Sequence, residues 1–287
     1  MIVKIGAFQS NGKGTYTVAA GTTDAYINFS WPMPLADAQT LYAEPRVVQS
    51  STHHYLLYAT ATAEDTSMPV VGMGTHGPAY RLITGWAPGG TPFYMPEGVG
   101  MEVAPGGARF FTIEMHLNNP GATQQTDDGV ELCLVSGARK RPKNAGIVWL
   151  GTDIIFGANQ VCGDCAVAKE ATIIGYSPHM HTHGTRMRTS LMPKGGTTWQ
   201  VLHDHSFNWQ QQVGYAATPI VKVAPGDLLK TTCFWDSPVL FGPATTSEMC
   251  YNFTLHYPSG ALDGGTGLVG ASGQCLGAAG CAMNDGI

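Results

Sequence analysis

The sequence predicts an all-β protein made of two tandem antiparallel sandwiches. Three observations point there. Charged residues make up only 12% of the 287 positions while glycine occurs 37 times, the balance of a turn-rich β protein rather than a helical one. Strand-like runs recur between Gly/Pro turns along the whole length. A polar, basic, proline-containing stretch, ARKRPKNAG (138–146), divides the chain into residues 1–146 and 147–287, each of sandwich size.

The strands follow in order. HHYLLYATA (53–61) is rich in Tyr and Leu. RFFTIEMHL (109–117) comes after the turn APGG, and GVELCLVS (129–136) alternates apolar and polar residues. PIVKVAPGDLLKTTCFW (219–235) reads as two strands around a Pro-Gly turn. EMCYNFTLHYP (248–258) reads as another strand, with Met249 and Cys250 on opposite faces. No window of helical period stands out. The segment after Pro258 is rich in Gly, Ala and Ser and is expected to be a surface loop, pinned if its cysteines are bonded.

Composition also narrows the function. A net charge of −5 gives no footprint for nucleic acid or an anionic membrane. The one basic cluster, Arg139, Lys140, Arg141 and Lys143, reads as a solvated connector. No window is apolar enough to span a bilayer, and MIVKIGAF at the start is too short for a signal peptide. Seven cysteines are present, two of them in CGDC (Cys162, Cys165). No second CxxC completes a zinc site and no βαβ pattern suggests a redox fold. Disulfides are the better reading, so the expected location is secreted or periplasmic, with a leader absent from this sequence.

Ten histidines stand out in so charge-poor a chain. SPHMHTHG (177–184) carries His179, His181 and His183 at alternate positions, which a strand would place on one face. Imidazoles at i, i+2 suit copper, zinc, iron or nickel. His53 and His54 are adjacent, and reach one metal only where their strand ends or bends. His116, on a later strand of the same half, offers a third nitrogen. Met249 is core filler on the ordinary reading. Close to two imidazoles, its thioether would select copper.

Taken together these segments resemble the copper type II, ascorbate-dependent monooxygenases. HHYLLYA, GWAPGGTPFYMPEGVG (85–100), EMHLNNP (114–120), DDGVEL with RKRPKNAGI, PHMHTHG with FNWQ (207–210), and TSEMCYNFTLHYP occur in the family's order over nearly the whole chain. The resemblance implies two jelly-roll-type sandwiches with a copper-lined cleft between them. It implies two coppers per chain: one held by His53, His54 and His116 for electron transfer, the other by His179, His181 and Met249, where oxygen binds and a C–H bond is cut. Gly184 lies five residues after His179, the family spacing that selects His179 and His181. The alternative register, His181 with His183, has the same form and stays open, with His183 otherwise a flanking residue.

The family also implies a disulfide from Cys233 to Cys250, and another from Cys162 or Cys165 to Cys275 or Cys281. Cys133 is left over as a buried thiol. The peptide-amidating member has an arginine two residues before the HxH pair, and an asparagine and a tyrosine two and four residues after the methionine. Here these positions are Ser177, Tyr251 and Phe253, so peptide amidation is not expected and Tyr251 and Phe253 imply an apolar or aromatic substrate. The expected protein is thus an ascorbate-driven copper monooxygenase acting with O2 on a small molecule. A non-catalytic copper carrier of the same fold is the alternative.

Overall fold

The computed structural model describes residues 1–7, 15–64, 70–71, 81–103, 107–242, 244–263 and 274–277. Among them there is no α-helix, and no helix is long and apolar enough to cross a membrane. The chain divides into two compact units, Met1–Ala145 and Gly146–Ile287.

The first unit contains β1 (Ile2–Gly6), β2 (Tyr16–Val18), β3 (Thr22–Pro32), β4 (Ala38–Arg46), β5 (Thr52–Thr60), β6 (Val70–Val71), β7 (Arg81–Trp86), β8 (Phe93–Tyr94), β9 (Val99–Glu102), β10 (Phe110–Asn119), β11 (Gln124–Thr126) and β12 (Gly129–Ser136). One sheet runs β1-β12-β4-β9, with β8 on β4, and the other runs β6-β3-β10-β5-β7. β2 and β11 form a separate ribbon. The alternation of GVELCLVS holds: Val130, Leu132 and Leu134 are buried, while Glu131, Cys133 and Val135 are half-buried. Ile27, Phe29, Leu57, Ile113, Met115 and Leu117 are buried on the second sheet. Cys133, expected to be a buried thiol, is half-buried and free, because it faces away from that core.

β13 (Lys143–Thr152) carries the chain from one unit to the next. The stretch read as a connector is therefore a single turn of 3-10 helix, Gly137–Arg139, followed directly by a strand. Residues 143–145 pair in parallel with β9, while most strand pairs among the described residues are antiparallel.

The second unit continues with β14 (Phe156–Ala166), β15 (Ala171–His179), β16 (Gly184–Met192), β17 (Gln200–Ser206), β18 (Tyr215–Val223), β19 (Leu228–Leu240), β20 (Cys250–Tyr257) and β21 (Gln274–Leu276). One sheet runs β13-β20-β15-β18, with β21 parallel to β13. The other runs β14-β19-β16-β17. Their inner faces share a core of Val148, Leu150, Ile173, Leu191, Val223 and Leu229. A second cluster of Met180, Met187, Cys233, Trp235 and Cys250 lies under the histidine segment.

Two disulfides between described residues brace this unit. Cys233–Cys250 ties β19 to β20, one from each sheet, and Cys165–Cys275 ties β14 to β21. Cys162 is also disulfide-bonded, and Cys281 lies outside the described residues. Asn252, which heads the glycosylation-type triplet Asn-Phe-Thr (252–254), is fully buried. Its side chain accepts from Ser177 N–H and donates to Thr189, so it is no glycan acceptor in this fold.

Candidate metal centres

In the first unit the adjacent histidines meet the expectation that the strand must bend. On β10, His116 pairs with His54 but Leu117 pairs with Thr52. His53 is thus an extra residue, a β-bulge, and bulges re-aim side chains that a flat strand would send to opposite faces. The ligand nitrogens of His53, His54 and His116 lie within 4.8 Å of one another. The separations of Nδ1 from Nδ1 are 3.2 Å for His53 to His54 and 3.3 Å for His54 to His116. Two nitrogens about 2.0–2.1 Å from one ion at a tetrahedral angle stand about 3.3 Å apart. The donor set therefore fits a small transition-metal ion, and three imidazoles suit copper.

The surroundings fix the His116 ring. Tyr26, its partner on β3, stacks on it with centroids 4.4 Å apart and planes 3° from parallel. His116 Nε2 lies 2.9 Å from Asp24 Oδ1. A carboxylate only accepts, so the ring nitrogen donates, and Nδ1 is the nitrogen bearing the lone pair. Two residues back along β10, burial and then the nearby Glu64 push the carboxyl of Glu114 up to about 8.

In the second unit the alternation that put His179, His181 and His183 on one strand face is not what forms. β15 ends at His179, and a turn closed by Gly184 N–H to His181 O leads into β16. His183 turns aside. Its Nδ1 lies 2.8 Å from Asp236 and 3.1 Å from Ser237 Oγ, and its ring is half-exposed. His179 and His181 stay together, with centroids 5.4 Å apart. His179 Nδ1–H donates to Gln212 Oε1 and His181 Nδ1–H donates to Ser247 O, both at 2.9 Å. Both bonds leave Nε2 as the nitrogen that bears the lone pair. Burial holds the His181 imidazole below the ordinary histidine range, hence neutral, the form that ligates.

Met249 lies one residue before β20 rather than within a strand, and is 3% exposed. Its neighbours are fixed on both sides. Cys250 is held by the disulfide. Glu248, fully buried, accepts from the backbone N–H of His181 at 2.8 Å, that of His183 at 2.7 Å and the Trp235 indole at 2.8 Å. One carboxylate thus ties the histidine turn to the methionine segment. Gly184 is required there, because an added Cβ would stand 2.7 Å from Met180 Cβ and 2.8 Å from Phe207. Two imidazoles and a thioether suit copper and disfavour zinc.

An aromatic group adjoins His179. Phe253 lies 5.8 Å from it, and Trp149 lies 4.9 Å from Phe253 and 5.3 Å from Tyr251. Tyr251 is buried and donates its hydroxyl to Asp153, while Phe253 is half-buried. Sequence reasoning did not single out Asp24, Tyr26, Gln212, Glu248 or Trp149. Glu248 alone had a signal: a carboxylate in a strand-like run of a charge-poor chain. Trp209, in the quoted FNWQ, packs 5.4 Å from His181.

Residues 151–264 match the copper type II ascorbate-dependent monooxygenase C-terminal domain. Human dopamine beta-hydroxylase is 26% identical over 205 residues, covering 64% of this chain and 33% of that protein. Peptidyl-glycine alpha-amidating monooxygenase A of Xenopus laevis is 25% identical over 273 residues, covering 88% of this chain and 29% of that protein. Tyramine beta-hydroxylase of Caenorhabditis briggsae is 28% identical over 205 residues, covering 64% and 35%. Along most of its length the chain is thus similar to copper type II ascorbate-dependent monooxygenases. It spans about a third of the length of these relatives.

Proposed function

We propose that this chain is an ascorbate-driven copper monooxygenase of a secreted or periplasmic compartment. The expected reaction is R–H + O2 + two electrons + two protons → R–OH + H2O, with ascorbate supplying the electrons. The observation that carries the reading is the pair of unlike donor sets: three converging Nδ1 atoms in the first unit, and two Nε2-presenting imidazoles with a buried thioether in the second. Unlike sets suit unlike tasks, and a soft, weak sulfur ligand favours the reduced ion that must meet oxygen.

His53, His54 and His116 would hold the electron-transfer copper, and His179, His181 and Met249 the oxygen-binding copper. Copper would supply one-electron chemistry at both places. The chain's own residues do the rest. Gln212 and the Ser247 carbonyl hold the two imidazoles in one tautomer. Glu248 keeps their turn beside Met249. Phe253 and Trp149 offer an apolar wall near His179 for a small apolar or aromatic substrate, and the lack of an arginine at Ser177 argues against a peptide carboxylate.

The test is ascorbate-dependent O2 consumption with hydroxylated product from a panel of small aromatic and aliphatic compounds. Product in step with O2, lost in Met249→Ile, supports the reading. Copper bound at both sites with no turnover on any compound would favour the copper carrier instead.

A further inference from the structure

We infer that Asp24 is a positioning residue for the first copper site, fixing His116 in the tautomer that presents Nδ1. This rests on the assignment of His53, His54 and His116 as ligands in the reading above. Three independent observations converge on Asp24. Its carboxylate takes the His116 Nε2–H at 2.9 Å. Its backbone sits at φ +45°, a left-handed conformation that non-glycine residues adopt at a cost and that clusters at functional sites. And it lies in a bulge: Leu117 pairs with Ala25 and Asn119 with Thr22, so Thr23 and Asp24 together oppose Asn118 alone.

The bulges at His53 and at Asp24 act on one cluster from opposite sides. The β5 bulge turns His53 toward the shared centre. The β3 bulge places a carboxylate behind His116. Tyr26 fixes the plane of the ring by stacking, but stacking leaves open which nitrogen carries the proton. The Asp24 hydrogen bond places that proton on Nε2. Without it, Nε2–H and Nδ1–H forms would both be populated, and the second cannot donate from Nδ1 to a metal. The carboxylate also raises the basicity of the ring it accepts from.

Two substitutions separate the parts of this role. Asp24→Gly keeps the backbone conformation without strain and removes the acceptor. Asp24→Asn tolerates the left-handed region and keeps an oxygen acceptor, without the charge. In the metal-free full chain, proton–nitrogen NMR of the imidazoles should show His116 as the Nε2–H tautomer in the wild type and in Asp24→Asn, and as a mixture in Asp24→Gly. Copper(I) competition against a chelator should show one of two sites weakened about 10–100-fold in Asp24→Gly, and by less in Asp24→Asn, with the other site unchanged.

Wild-type affinity at both sites with an unchanged tautomer in Asp24→Gly would overturn the proposal. His116→Ala is the control that separates the two failures. If it too binds copper like the wild type, the ligand assignment itself falls. If it loses one copper while Asp24→Gly keeps both, only the role of Asp24 falls.

Discussion

The two histidine centres solve the same problem by different means. In the first unit the backbone does the gathering. A bulge at His53 brings adjacent residues to one centre, and Tyr26 and Asp24 hold His116 from behind. The only cysteine of that unit is unpaired. In the second unit the proposed ligands, His179, His181 and Met249, lie at a strand end, in a turn and just before a strand. They are gathered by a buried carboxylate and a disulfide. A centre built on strands inherits its rigidity from the sheet ladder. A centre built on turns needs separate braces, because loops are less stable than the elements they join.

This contrast predicts where each centre breaks. The largest effect is expected at the first: His116→Ala should lower copper affinity there by more than about 100-fold, beyond the roughly 10–100-fold typical of a lost outer partner, and leave thermal stability near wild type. Copper titration with a parallel melting curve checks both halves of that statement. At the second centre the braces should matter to the fold itself. Glu248→Ala strands two backbone N–H groups and an indole N–H in the interior, and should cost about 3–5 kcal/mol by denaturant unfolding, with weaker copper binding at that centre alone.

Replacing both Cys233 and Cys250 by alanine opens a 17-residue link and should cost about 3 kcal/mol. An equal loss of copper from both centres in that variant would contradict the contrast between a strand-built and a braced centre.

The smallest effect concerns pH. His203 on β17 stacks on Tyr176, and burial, then the charge of neighbouring His205, pushes its imidazole down to about 4. The folded chain keeps it neutral where the unfolded chain, titrating near 6.5, takes a proton. Between those values the unfolded state binds more protons, so stability falls as pH falls through that window. The expected loss is about 2 kcal/mol, less than the full shift implies because His205 is exposed. His203→Phe should flatten the stability profile from pH 6.5 to 4.

Much of the fold was readable because strands and turns are local. GVELCLVS forms the strand Gly129–Ser136, and the Pro-Gly turn at 225–226 separates β18 from β19. The site was readable as residue types and spacings, while its geometry was not. HMHTH looks like a strand, yet β15 stops at His179, because Glu248 competes for the His181 and His183 amides that a ladder would have used. That competitor lies 67 residues from His181 along the chain. Asp24 left no trace either: it lies 92 residues from the ring it holds, and its bulge arises only once β3 is paired with β10. Periodicity reports the element a residue belongs to. Register shifts and long-range side-chain bonds decide where that residue points.

The most direct test of the two-centre account is copper content per chain after anaerobic reconstitution and desalting, for the wild type, His116→Ala and Met249→Ile. The account predicts two coppers in the wild type, one in His116→Ala, and one firmly held with one weakened in Met249→Ile. A single copper in the wild type, or its loss from both variants together, would contradict it.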